Sequence, residues 1–586
     1  MDPPAALQSE PPLGGDRGLR FPRGAQLRAV QRDDADHAEG VLASARRQRP
    51  GPHVPRPLRP RRRRPPARRA PEDSRRLRPG RSRIHEKRLY FPGNRRGDFP
   101  ARGAHRRAGK NLRELLRRHA GSLLMPAVKG GTSCDFLIVG SGAGGGTLAR
   151  ELAKRGRQVL VIERGKARDK VGAFLDGYRF FDLRHYPRVV PRAIRKRPFS
   201  PPRSKEGVIL WRALMAGGST VISCGNGVRS MERELAEMGV ALEQEFAEAE
   251  KEMGLSPIDE RLLSPGSLRI REAAGRLDHE MRPMPKFIKT DRCNKCGHCH
   301  FGCARQAKWT AVDYLREAEK LGAKVLYEAR VTEVRVERGK ARGVRCVGPD
   351  GPLDIDAKVV ILAAGGLETP AILQRSRLKE AGGGFFLDLM WNTYGVTDGL
   401  HQDREPVMAL VELGNHSRGF LLSPFMNQPR LARSMETGPA TALRPSHNML
   451  GIMTKISDEA NGRVLPDGSF SKPVTARDRR RLAEGAAISR RILAEAGAAP
   501  ASLGESRIQG AHPGGTAAIG TVVGTDLQTA ADNLFVCDAS VLPAEHFPEA
   551  SRMPPILTIV ALAKRLAKTL AGEAGIIAEP VPVPTS

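Results

Sequence analysis

The chain has 586 residues, 40% of them hydrophobic, which suits a globular protein of about two or three domains. Its formal charge of +33 is uneven: residues 1–124 hold 32 Lys/Arg against 12 Asp/Glu, so about +20 lies in the first fifth of the chain. No run of about 18 apolar residues occurs and no apolar segment lies near residue 1, which excludes a membrane-spanning helix and argues against a secretory signal.

Residues 1–124 are rich in Arg, Pro and Gly and show neither period 2 nor period 3.6. They read as a disordered basic tail, with at most a short helix at 111–124. The stretch is expected to lie upstream of the natural start, at Met125. A genuine tail and a phosphate-binding arm are the alternatives, but no aromatics alternate with the arginines, and no nucleic-acid partner is expected.

From Cys134 the pattern changes. Asp135–Val139 reads as a buried parallel strand, followed by a glycine loop, a helix over Thr147–Arg155 and a second strand, Gln158–Glu163. Gly140-x-Gly142-x-x-Gly145 in this strand–turn–helix setting, with Glu163 ending the second strand, is the dinucleotide-binding pattern. The first glycine permits the turn, the second lets the backbone approach a pyrophosphate, and the third allows close packing. Glu163 is placed to accept hydrogen bonds from ribose hydroxyls.

Residues 170–205 read as a long loop, and 231–253 and 309–321 as helices. Lys324–Tyr327, Val331–Glu337, Gly343–Val347 and Leu353–Val360 read as a strand meander, leading into a return strand near Val359–Ala363. Short alternating runs over 383–475 predict an antiparallel sheet, and 476–497 and 556–570 predict helices. Asn533–Ser540 is another buried strand, ending at the acid Asp538. Phe385, Phe386, Leu387, Trp391, Phe420, Phe425 and Met426 are candidates for an apolar substrate wall, although such residues are as readily core.

Four of the eight cysteines lie within eleven residues: Cys293, Cys296, Cys299 and Cys303. The C-x2-C-x2-C-x3-C spacing matches bacterial ferredoxins, apart from Ala304 where they carry proline. Thiolates this dense suit an iron–sulfur cluster, with a zinc site (His298 or His300 assisting) or a metal-free loop as alternatives. The absence of a second run requires a different geometry for Cys303, completion by a remote thiol such as Cys224, or a three-iron cluster. Clustered rather than spread cysteines favour a reducing, cytoplasmic setting.

Five segments in order resemble the glucose–methanol–choline (GMC) oxidoreductases: Asp135–Gly165, Ala216–Gly227, Ala363–Pro370, His512–Thr516 and Asn533–Pro543. The resemblance implies an α/β fold: an FAD-binding, Rossmann-like parallel-sheet domain interleaved with a substrate domain built on an antiparallel sheet. The expected division is 125–382 plus 506–575 for FAD, including a Cys loop at 291–308, with 383–505 for substrate and a tail at 576–586. The resemblance also implies FAD as cofactor and oxidation of an alcohol CH–OH group, with Gly218, Asn226, Val331, Gly365 and Asp538 joining the glycine loop around the cofactor. His512 corresponds to the family's base, as its near-neutral ionisation suits. The family's second His or Asn is replaced by Pro554, which can neither take nor give a proton, so His546 or Arg552 is the expected substitute. With an Fe–S centre, electrons would pass to a carrier protein or quinone. An oxygen-using oxidase with a metal-free loop, and chemistry at a C–C or C=C bond, are the other readings.

Overall fold

The structure, a computed structural model, describes residues 133–167, 204–426, 433, 436–437 and 444–572. The expectations for 1–124, for a start at Met125, for the 170–205 loop and for the 576–586 tail lie outside these residues.

Apolar runs with no polar face must be covered on both sides, and the first sheet shows this directly. β1 (Ser133–Val139), β2 (Val159–Ile162) and β3 (Lys324–Leu326) run parallel in the order β3-β2-β1. The meander predicted from Lys324 has three strands, not four: β4 (Arg330–Glu337), β5 (Lys340–Gly348) and β6 (Gly351–Leu362), because β3 pairs parallel with β2 instead. Its last strand and the predicted return strand are one element. The first half of β6 pairs antiparallel with β5, and its second half pairs parallel with β1. The strand Leu534–Val536 joins its far side in parallel. Helix α1 (Ala143–Lys154) follows the glycine loop, and α2 (Glu243–Met253) and α3 (Ala311–Lys320) complete the covering with the closing helix Ile556–Leu570. The single helix expected over 231–253 is broken at Gly239, whose φ of +83° ends the short helix Glu232–Glu237.

Helix α4 (Gly365–Arg375) leads out of the first sheet. The antiparallel sheet follows, built on β7 (Met390–Val396), β8 (Leu410–Glu412), β9 (Phe420–Pro424) and β10 (Met449–Ile456), in the order β7-β10-β9-β8. It also draws Ile209–Leu210, Met281–Pro283 and Gln509–Gly510 from outside 383–505, so the two halves of the fold exchange strands. Successive side chains on β10 point to opposite faces. Leu450, Ile452 and Ile456 belong to the core beneath helix α5 (Ala476–Glu495), where Gly485 allows close approach to Thr454. Met453 faces the other way, into a separate apolar cluster with Met284, Met390, Met408, Phe425 and Met553. Lys455 shares that alternation.

The predicted wall residues divide between these clusters. Phe385, Leu387, Trp391 and Phe420 belong to the core under α5, and Phe386 to the core of the first sheet. Met426 packs with Tyr394 and Met449. Only Phe425 of the seven lies in the methionine-rich cluster. Among the described residues no helix is long and apolar enough to cross a membrane.

Candidate active site

The glycine loop runs from the end of β1 into α1. Gly140 has φ +99°, and a Cβ there would sit 2.4 Å from the Ala363 carbonyl oxygen. Gly145 packs so closely that a Cβ would lie 1.9 Å from the Gly140 oxygen. Gly142 differs: a Cβ there would meet nothing within 4 Å. Open space thus stands before the N-terminus of α1, where free N–H groups and the helix dipole favour a phosphate. Gly218 lies on a covering segment, residues 216–227, and would bring a Cβ to 3.2 Å from the Gly142 Cα, which bounds this space. These features fit a dinucleotide.

Glu163 is buried at the end of β2. Its Oε2 accepts from the Ser141 amide (3.0 Å) and hydroxyl (2.6 Å), and its Oε1 from the Gly165 amide (2.6 Å). Burial pushes its carboxyl up from the usual range, against those hydrogen bonds. Its remaining lone pairs are what a ribose could use. Asp538 spends its carboxylate within the protein: Oδ2 accepts from the Gly365 amide (2.7 Å) and the Thr369 hydroxyl (2.6 Å), and Oδ1 from the Ser540 amide (2.8 Å). It fixes the loop that carries Gly365. Asn226 is buried and donates to Met408 Sδ (3.4 Å), while its Oδ1 accepts from Lys286. Val331 is buried on β4 opposite Cys346.

Elsewhere, His512 enters a group that sequence order does not suggest. Its Nδ1 lies 2.9 Å from Asp388 Oδ2 and 3.0 Å from Lys455 Nζ. Burial and the charge of Lys455 hold the imidazole below the ordinary histidine value, with Asp388 acting the other way. The neutral ring is therefore the form present at neutral pH, as a proton acceptor requires. Asp388 is fully buried with φ +49°, and its backbone is held by Asp458, which accepts from the Leu387 amide (3.1 Å) and the Asp388 amide (2.7 Å). Arg552 donates to the Asp458 carbonyl (2.6 Å), stacks on Phe386, and brings its Nε to 3.8 Å from Asp388 Oδ1. Lys472 pairs with Asp458 at 3.1 Å.

Of the two substitutes expected for the missing second base, Arg552 is thus brought behind His512, supporting Asp388. His546 is exposed, its Nε2 lying 3.6 Å from where a Gly520 Cβ would be, and it is not gathered into this group. Asp388, Lys455 and Asp458 were not singled out from sequence. Asp458 also carries a stability prediction. Asp458→Ala would leave Lys472 without its carboxylate and two buried amides without an acceptor. It is expected to cost about 3–5 kcal/mol in a urea titration; a loss under about 1 kcal/mol would reject this role.

The structure lends the metal centre expected at the cysteine loop no support. Among the described residues no three His, Cys, Asp or Glu side chains converge on a point that could hold a metal ion. Burial pushes the Cys293 thiol up to about 11 and raises that of Cys296, and the neighbouring cysteines of the loop act in the same direction. The loop packs beside the methionine-rich cluster. Cys299 touches it, and the His300 ring lies 5.6 Å from that of Phe425. Lys308 staples the loop in place by donating to the carbonyls of Cys299 (2.8 Å), Val221 (2.8 Å) and Ser223.

A glycine-bounded dinucleotide cradle, interleaved with an antiparallel sheet that carries a carboxylate-held histidine, defines a two-part flavoprotein oxidoreductase. Family models described as GMC oxidoreductase match residues 134–390 and 455–563, and the chain belongs to that family. It is 28% identical over 455 residues to an uncharacterized protein of Methanocaldococcus jannaschii, covering 74% of this chain and 99% of that one. It is 26% identical over 421 residues to a long-chain-alcohol oxidase of Arabidopsis thaliana, covering 62% of this chain and 52% of the oxidase, about half its length. The crystal structure of pyridoxine 4-oxidase from Mesorbium loti shares the fold, with a TM-score of 0.54 at 18% identity over 74% of this chain and 99% of that one.

Proposed function

We propose that this flavoprotein oxidises the CH–OH group of an alcohol with an apolar body, His512 taking the hydroxyl proton as hydride leaves the carbon. The observation that carries this is an imidazole held by a buried carboxylate beside a methionine-rich sheet face. FAD, when bound, supplies the hydride acceptor. Gly140, Gly142 and Gly145 would receive its pyrophosphate, Glu163 its ribose, and Gly218, Asn226, Val331 and the Gly365 loop the remainder, with Asp538 setting that loop. Asp388 holds the Nδ1 proton so that Nε2 presents its lone pair. The methionines offer a deformable apolar surface and exclude water from the reacting atoms.

The relatives named as long-chain-alcohol oxidases favour the same substrate class. The sulfurs of the cysteine loop are given no part in electron transfer. Anaerobic mixing of the FAD-loaded protein with 1-dodecanol is expected to bleach the visible flavin band. No bleaching with 1-dodecanol, benzyl alcohol or ethanol would reject CH–OH oxidation, and admission of air to the bleached protein reads out whether oxygen is an acceptor.

A further inference from the structure

One nitrogen of His512 has two polar neighbours that cannot both be satisfied. Nδ1 carries either a proton or a lone pair, never both as hydrogen-bonding partners. With a proton it donates to Asp388 Oδ2 at 2.9 Å; with a lone pair it accepts from Lys455 Nζ at 3.0 Å. The two contacts are alternatives, and each fixes the other end of the ring. Donation to Asp388 leaves Nε2 a lone pair and makes it a base. Acceptance from Lys455 puts the proton on Nε2 and makes it a donor.

Sheet register brings Lys455 here. It stands on β10 opposite Met390 of β7 and Leu421 of β9, and both neighbours belong to the methionine-rich cluster. A lysine buried to 5% exposure on an apolar face costs free energy unless it has a task or a partner. Its hydrogen bond is to the His512 ring.

We propose that Lys455 is the positioning residue that switches His512 between its two tautomers, competing with Asp388 for Nδ1. The proposal rests on His512 being the base of the alcohol reaction, and it deepens that assignment. The proton steps balance. The substrate hydroxyl gives its proton to Nε2, so the ring carries protons on both nitrogens. The Nδ1 proton is then lost to solvent, which leaves a neutral ring protonated on Nε2 that accepts at Nδ1 from the Lys455 ammonium. Return of the ring proton from Nε2 to Nδ1, donating again to Asp388, restores the starting form.

The charged groups facing this pair come from several elements: Asp388 before β7, Lys455 on β10, Asp458 and Lys472 after it, Arg552 before the closing helix, and Cys224 from the covering segment. Burial lowers the Lys455 ammonium from the ordinary lysine value, while Asp388, Cys224 and Asp458 oppose the shift.

The test uses the FAD-loaded full chain with ring-15N histidine, the His512 signals being assigned by their loss in His512→Ala. In the parent protein the His512 ring nitrogens should report a mixture of both tautomers. Lys455→Met should leave only the form protonated on Nδ1 and raise the His512 midpoint by about one pH unit or more, since a like charge is removed. Asp388→Asn should shift the ring toward the form protonated on Nε2. Lys455→Arg, which keeps the charge, should hold the midpoint near that of the parent. Flavin content and circular dichroism identify any variant that has lost its fold, and Lys455→Gln then replaces Lys455→Met. An unchanged tautomer ratio and midpoint in folded Lys455→Met or Lys455→Gln protein would overturn the proposal. Because the readout needs no turnover, that result is separable from failure of the alcohol assignment, which shows as unbleached flavin.

Discussion

Replacing His512 with alanine is expected to slow flavin reduction by an alcohol about 10²–10⁴-fold, the usual contribution of a positioned acid or base, while FAD stays bound. The separation of effects follows from geometry. His512 contacts Asp388 and Lys455 on the antiparallel-sheet side, whereas the glycine cradle is built from β1, α1 and the covering segment. Loss of the imidazole therefore removes the proton acceptor without touching the phosphate end. The remaining rate should depend less on pH, because the group held below the ordinary histidine value is gone. His546→Ala is the control: that side chain is exposed and should leave the rate within about twofold of the parent. Rapid-mixing absorbance under anaerobic conditions measures both. A His512→Ala protein that reduces its flavin at the parental rate would remove the base from the mechanism.

The parts of this site that were legible from sequence are those whose chemistry is local. A β-strand, a glycine turn and an acid at the next strand end lie within about thirty residues, and each glycine's task is set by its immediate neighbours. Asp388 was not legible because it meets His512 across 124 positions, through a backbone bend that Asp458 holds from another loop. Lys455 was not legible either. An isolated lysine in an apolar run looks like a solvent-facing residue of an alternating strand, and only the covering of both sheet faces turns it inward. The same alternation sent Trp391 and Phe420 to the core side while Met390 and Met453 took the other face. At the cysteines, C-x2-C-x2-C-x3-C specifies intervals along the chain, whereas a metal needs sulfurs at the corners of a polyhedron, and among the described residues no group of three such ligands is placed to hold one.

The glycine loop offers the second large effect, and here neighbouring glycines should fail in two different ways. A methyl group at Gly142 meets open space, so Gly142→Ala is expected to fold with a melting temperature close to the parent. The methyl would project into the space read as the pyrophosphate seat. Pushing the phosphate from the amides of the α1 N-terminus forfeits charge-assisted hydrogen bonds, each worth about 1.5–3 kcal/mol, so FAD affinity should fall by roughly 10²-fold. At Gly145 the methyl would lie 1.9 Å from the Gly140 oxygen, and at Gly144 1.9 Å from the Cys537 oxygen. Those are backbone atoms that cannot swing aside, so α1 must move from β1 or from the strand Leu534–Val536. Gly144→Ala and Gly145→Ala should therefore lower the stability of the apoprotein itself, by about 1–3 kcal/mol or more. Flavin titration together with thermal melting of the apoproteins separates the two kinds of failure. If Gly142→Ala bound FAD as tightly as the parent, the open space before α1 would not be the phosphate seat, and the cofactor would have to approach the sheet elsewhere.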